Sequence, residues 1–181
     1  MANHVWQRVN IHSEEKEVHN KLEEWFGNLD YSDVRGTVEP VFGKDWKYDI
    51  DKVGSKWVIV EDCYFDEDSS YINFCSAWNP ADGFLEELMK TILGIDEEAK
   101  MDFTGDEESD DFLFAGYGSK NGFHCKIWEG NALPERPWEE ECEEEGIDYD
   151  EAIDTFYDDV NEIQSSLLAE CVMEVDNINS E

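Results

Sequence analysis

An α+β fold, with an antiparallel sheet and one long C-terminal helix, is what the residue pattern of this 181-residue chain predicts. Three observations lead there. Short segments of alternating or β-branched character are interrupted by two segments at helical spacing. The last third then steps by threes and fours, as a single amphipathic helix does. Finally, 40% apolar and 13% aromatic residues are ample for a packed core, which excludes a disordered acidic chain.

The elements follow in order. His4–His12 alternates as a strand, with Val5, Val9 and Ile11 on one side and Trp6, Arg8, Asn10 and His12 on the other. Ser13 reads as a helix N-cap, with Glu14 and Glu15 in the first turn at the positive end of the dipole. Val18, Leu22, Trp25 and Phe26 recur at helical spacing, and Gly27 ends the helix. Residues 28–55 hold glycines, Pro40 and alternating charges, and are expected to form a long connection with a short strand at 38–42. Residues 56–64 and 71–78 are rich in β-branched and aromatic side chains and predict a hairpin across the turn Asp66-Glu67-Asp68-Ser69. Asn79 then suits an N-cap and Pro80 the first helical position, ahead of the stripe Phe84, Leu85, Leu88, Met89, Ile92 and Leu93. Trp78 is expected to pack over the start of that helix. Strands are expected at 100–104, 112–117 and 123–128, with Gly116 and Gly118 as bulge or close-approach positions.

Residues 131–147 read as an acidic linker. Asp148 with Glu151 makes a capping-box-like start, and Tyr149, Ile153, Phe156, Val160, Ile163, Leu167, Cys171 and Val175 give a helix over 148–175. The whole chain, 1–181, is expected to be one domain.

Strand, helix, strand, strand, helix, strand is the order of the ferredoxin-like βαββαβ layout, an antiparallel sheet with both helices on one face. The chain extends it by a strand pair and the long helix. Asn3-His4-Val5, Val53-Gly54-Ser55-Lys56-Trp57, Ser76-Ala77-Trp78-Asn79-Pro80 and Asp106-Glu107-Glu108 followed by Phe114-Ala115-Gly116 resemble the YubB ferredoxin-like domain family over residues 3–130. One departure is Asn79 before the helix-preceding proline, where the family favours serine. The resemblance implies the fold and an origin among small proteins of tailed bacteriophages and plasmids. It transfers no catalytic residue.

Chemistry is thinly marked. Five cysteines, Cys63, Cys75, Cys125, Cys142 and Cys171, are an odd count with no CxxC pair, which suits reduced thiols. His124 beside Cys125 is a poor zinc pair, because neighbours on a strand point to opposite faces. His4 and His12 share a strand about 26 Å apart at strand rise and cannot form one site. No nucleophile elbow is present. Carboxylates cluster at Asp62, Asp66, Glu67 and Asp68 and at Asp106, Glu107, Glu108, Asp110 and Asp111, which could collect a hard cation, but neither follows the calcium-loop pattern. No cofactor and no metal site is therefore assigned, and a non-enzymatic role is expected. An enzyme using these carboxylates with Mg or Ca is the alternative, and a virion component the third reading.

Charge is the dominant feature. Acidic side chains number 47 against 13 Lys and Arg, a formal charge of -34, which excludes gripping nucleic acid directly through a basic surface. No basic residue follows Arg136, while residues 139–181 hold 17 Asp and Glu. Complementary potentials steer association, so the expected partner is a basic surface on a host or phage protein, met by Glu139, Glu140, Glu141, Glu143, Glu144, Glu145, Asp158 and Asp159. Nucleic-acid mimicry is one form this could take. The final helix alone is dilute for it: about 43 Å at 1.5 Å per residue matches about 25 duplex phosphates, against ten acids from Asp148 to Asp176. With no stretch of 18 apolar residues and no signal-peptide pattern, no membrane contact is expected and the host cytoplasm is the expected location.

Overall fold

β1 (His4–His12) lies inside a six-stranded sheet with β2 (Val58–Phe65), β3 (Ser69–Ala77), β4 (Lys100–Glu107), β5 (Phe112–Ser119) and β6 (Gly122–Glu129). In this computed structural model, residues 3–67, 69–129 and 133–177 are described. All neighbouring strands run antiparallel, in the order β2-β3-β1-β4-β5-β6. The helices are α1 (Lys16–Phe26), α2 (Val34–Phe42), α3 (Ile50–Val53), α4 (Asp82–Leu93), α5 (Glu139–Glu145) and α6 (Tyr149–Asn177).

The alternation of β1 divides the molecule. Val5, Val9 and Ile11 are fully buried, and Val9 stands opposite Ile72 on one side and Phe103 on the other. They join Val18, Leu22 and Phe26 of α1, Val38 of α2 and Phe84, Leu85, Leu88 and Ile92 of α4 in the main core. Each fully buried side chain of this size contributes about 1.5–3 kcal/mol. Gly116 and Gly118 permit close approach: a Cβ on Gly116 would stand 2.0 Å from the Phe103 ring, and one on Gly118 3.0 Å from Met89.

The opposite face receives α6. On β5, Phe114 packs in the main core, while Leu113 meets Phe156 and Val160, and Tyr117 meets Cys171 and Val175. Successive strand residues point to opposite faces, so α6 lies across the sheet from α1 and α4. Gln164 donates to the Gly105 carbonyl at 3.0 Å, and the Cys171 thiol donates to that of Ala115 at 3.5 Å.

Several boundaries depart from the sequence expectation. Residues 28–55 contain α2 and α3 rather than a strand at 38–42. Asp33 caps α2 by accepting from the Gly36 N–H at 2.7 Å, and burial of Thr37 and Val38 outweighs the β preference of Val34, Thr37, Val38 and Val41. Ser13 does not cap α1. Its hydroxyl donates to Asp96 and accepts from the Glu15 N–H, a local turn that delays the helix to Lys16. Asn79 and Pro80 precede α4 instead of opening it. The Asn79 carbonyl accepts from the Ser76 hydroxyl at 2.8 Å, and the first helical bond runs from Leu85 to Ala81. Trp78, with φ of 70°, turns outward, and the Lys56 ammonium lies 4.8 Å from its ring centroid. The linker expected at 131–147 includes α5, held by buried Cys142 and ended by Gly146 in the left-handed region at φ of 73°. The turn acid Asp68 falls outside the described residues.

Candidate functional site

The sheet sets α6 in place, and α6 sets the charges. Its start is capped as its sequence indicates: the Asp148 carboxylate accepts from the Glu151 N–H at 3.2 Å. Phe156, Val160, Leu167, Cys171 and Val175 are buried beneath it. The i,i+4 repulsion of like charges on a helix costs only about 0.2–0.5 kcal/mol per pair, well below what these anchors contribute. The outer side is thus free to carry acid.

The acid that forms no ion pair among the described residues gathers at one end. Asp150, Asp154, Asp158 and Glu162 recur at every fourth position and are all exposed, a row with about 6 Å of rise per step. Asp148, Glu151 and Asp159 flank it, also exposed. Beyond Glu162 the exposed Ser165, Ser166, Ala169 and Met173 carry no charge, and the exposed Glu174 is paired with Lys126 and His124. Glu139, Glu140, Glu141, Glu143, Glu144 and Glu145 of α5 are exposed as well. From Glu139 to Glu162 no basic residue interrupts the series, and among the described residues none of these carboxylates forms an ion pair.

The carboxylates at the far end of α6 are partnered instead. Lys126 sits 2.6 Å from Glu170 and 2.8 Å from Glu174, which His124 also meets at 2.8 Å. Lys126 holds the Glu174 carboxyl below its ordinary pKa. Burial pushes the Asp176 carboxyl up, but donation from Asn121, Ser119 and Tyr117 outweighs it and its pKa is lowered. Asp158 and Asp159 therefore lie with the α5 glutamates on a charged segment that ends midway along α6.

Two concavities accompany this segment. One, of about 560 Å³, is lined by Trp128, Leu133, Pro134, Asp159, Glu162, Ile163 and Ser166. The other, of about 530 Å³, lies across Leu133 and Pro134 and reaches Arg136 and Trp138. Trp128 and Trp138 are 38% and 65% exposed, so aromatic surface borders the acid. Glu162, Trp128 and the Asp150/Asp154 row escaped the sequence reading. The four-residue spacing was the available signal for the row, whereas Trp128 is brought to α6 only by the strand pairing Leu113 opposite Trp128.

The other chemical candidates are dispersed. Glu107 is buried, and its carboxylate accepts from the Ser109 and Asp111 N–H groups. Glu108 pairs with His4 at 2.9 Å, and Asp110 with Arg136 at 3.0 Å. Among the described residues no three His, Cys, Asp or Glu side chains are placed to hold a metal ion. His12 bonds Asp102 and His124 bonds Glu174, while Cys125 faces the main core. Burial pushes the Cys75 and Cys125 thiols up to about 12 and Cys171 to about 11, far from a reactive thiolate. A third concavity, on the sheet face beside α6, holds Trp6, Arg8, Glu61, Asn73 and Asp106. Burial raises the Asp106 carboxyl to about 6 there, against the pull of Arg136. Among the described residues, no helix is long and apolar enough to cross a membrane. No family model, curated protein or solved structure matches this chain.

Proposed function

We propose that this chain is a non-enzymatic binding module whose α5 and the first half of α6 engage a basic surface on another protein. The observation that carries the reading is the division of α6. Its exposed carboxylates stand unpaired among the described residues up to Glu162, whereas Glu170 and Glu174 are bound by Lys126. Acid serving hydration alone has no reason to be left without basic partners on one half of the helix and paired on the other. Protein binding fits better than imitation of a duplex, because the Asp150–Asp154–Asp158–Glu162 row rises about 6 Å per charge while each DNA strand places one every 3.4 Å or so.

The ferredoxin-like reading of β1 to β4, and with it the YubB-like origin in a phage or plasmid, belongs to the same proposal. It is supported by β1 lying between β3 and β4, antiparallel to both, with α1 and α4 contributing to one core. In that setting the partner is a phage protein or a protein of the host cytoplasm.

The test compares two variants of equal charge change. Capture from lysate uses the wild-type chain, a ridge variant with Glu140, Glu144, Asp154 and Asp158 changed to amides, and a control with Glu14, Glu15, Glu17 and Asp30 changed likewise. A partner held by the wild type and the control, lost by the ridge variant and released by salt is the expected result. Equal loss in both variants, or salt-insensitive capture, contradicts it.

A second reading, an enzyme built on carboxylates, is favoured by Asp106 alone, whose raised pKa in a concavity with Arg8 and Trp6 suits proton transfer near neutrality.

A further inference from the structure

The concavity between β6 and α6 has chemistry more specific than negative charge. Its lining combines the exposed indole of Trp128, the half-buried Leu133 and Ile163 and the exposed carboxylates of Asp159 and Glu162. These two acids are three positions apart on a helix and so share a side. The nearby bases are committed elsewhere: Lys126 to Glu170 and Glu174, and Arg136 to Asp110 and the Phe156 ring. The site therefore brings an indole and apolar side chains together with two carboxylates that form no ion pair among the described residues.

We infer that this concavity is the anchor pocket for an arginine side chain of the basic partner. The inference rests on the acidic-ridge reading and deepens it. An arginine matches each of these groups: its methylene stem covers apolar surface, its planar guanidinium stacks on an indole, and its fork of N–H donors meets carboxylates at two points. Lysine offers a compact, strongly hydrated charge that stacks less well and cannot bridge two carboxylates with a rigid fork. A volume of about 560 Å³ accommodates the side chain with its flanking backbone. The ridge then provides long-range attraction, and the pocket provides selection among basic sequences.

The test uses the full chain and three defined peptides: a lysine-rich peptide with one central arginine, and counterparts with lysine or citrulline at that place. Affinity is read by calorimetry and the site by the indole N–H resonance of Trp128. The arginine peptide is expected to bind about tenfold tighter than the citrulline one and to shift that resonance. Trp128→Leu is expected to abolish the arginine preference while salt-dependent binding persists. Asp159→Asn with Glu162→Gln, at two exposed positions, should abolish the preference as well. Equal affinities for all three peptides, with the Glu140/Glu144/Asp154/Asp158 variant still weakened, overturn the pocket and leave the ridge standing. Binding that the ridge variant does not weaken overturns both.

Discussion

Arg136 and Asp110 form a two-point ion pair, with Nε 3.0 Å from one carboxylate oxygen and a terminal guanidinium nitrogen 3.1 Å from the other. The pair joins the segment leading into α5 to the turn between β4 and β5, and the guanidinium also lies 5.2 Å from the Phe156 ring of α6. The only basic residue close in sequence to the acidic helices is thus used to fix their position.

Removing it should loosen that position. Arg136→Ala is expected to cost about 1–3 kcal/mol in urea unfolding, the range for charge-assisted hydrogen bonds that are partly buried. Arg136→Lys should recover only part of this, since an ammonium cannot reproduce the two-point geometry.

α5 should be less stable than α4 and α6. It has seven residues, pairs like charges at Glu139/Glu143, Glu140/Glu144 and Glu141/Glu145, and places Glu145 at the negative end of its dipole. Its amides are expected to exchange with solvent far faster than those of α4 or β1 in native-state hydrogen exchange. Glu145→Lys should slow them.

Asp106 should make stability fall as pH rises. Its pKa in the fold is about 6 against an ordinary 3.8, raised by burial and by Asp110 and Glu107 and opposed by Arg136. Between those values the folded state holds a proton that the unfolded state has lost, so this group's contribution declines from pH 4 to pH 6 and stays lost above. The full span is about 2–3 kcal/mol. Asp106→Asn should therefore be more stable than the wild type at pH 7, and the difference between the two should shrink toward pH 4 in thermal unfolding.

Gly116→Ala should be destabilising by about 1–3 kcal/mol, the usual cost of forcing extra volume into a packed site. The added methyl meets the Phe103 ring, which is buried and stacked on Phe123 and cannot move aside freely. Equilibrium unfolding checks it.

Much of the fold was legible because its signals are local. The alternation of β1, the hairpin of β2 and β3 and the stripe of α4 each depend on residues adjacent in sequence, and Phe156, Val160, Leu167, Cys171 and Val175 marked the buried side of α6 directly. What was not legible depends on distant partners. α2 is helical because Thr37 and Val38 are buried against the rest of the fold, and its own glycine, proline and β-branched residues argue otherwise. Within the site, the carboxylates of α5 and Asp158 and Asp159 could be found from the absence of bases. The end of the acidic segment could not, because it is set by Lys126 reaching across from β6 to Glu170 and Glu174. Trp128 was hidden for the same reason.

The account stands on unpaired charge being gathered in the first half of α6, and a residue-resolved titration with a lysine- and arginine-rich peptide tests this most directly. Backbone resonance shifts at low salt should concentrate on residues 139–162 and fade at high salt, with residues 165–177 and α1 nearly unmoved. Shifts of equal size around Glu14, Glu86 and Glu98, or none in α5, would contradict it.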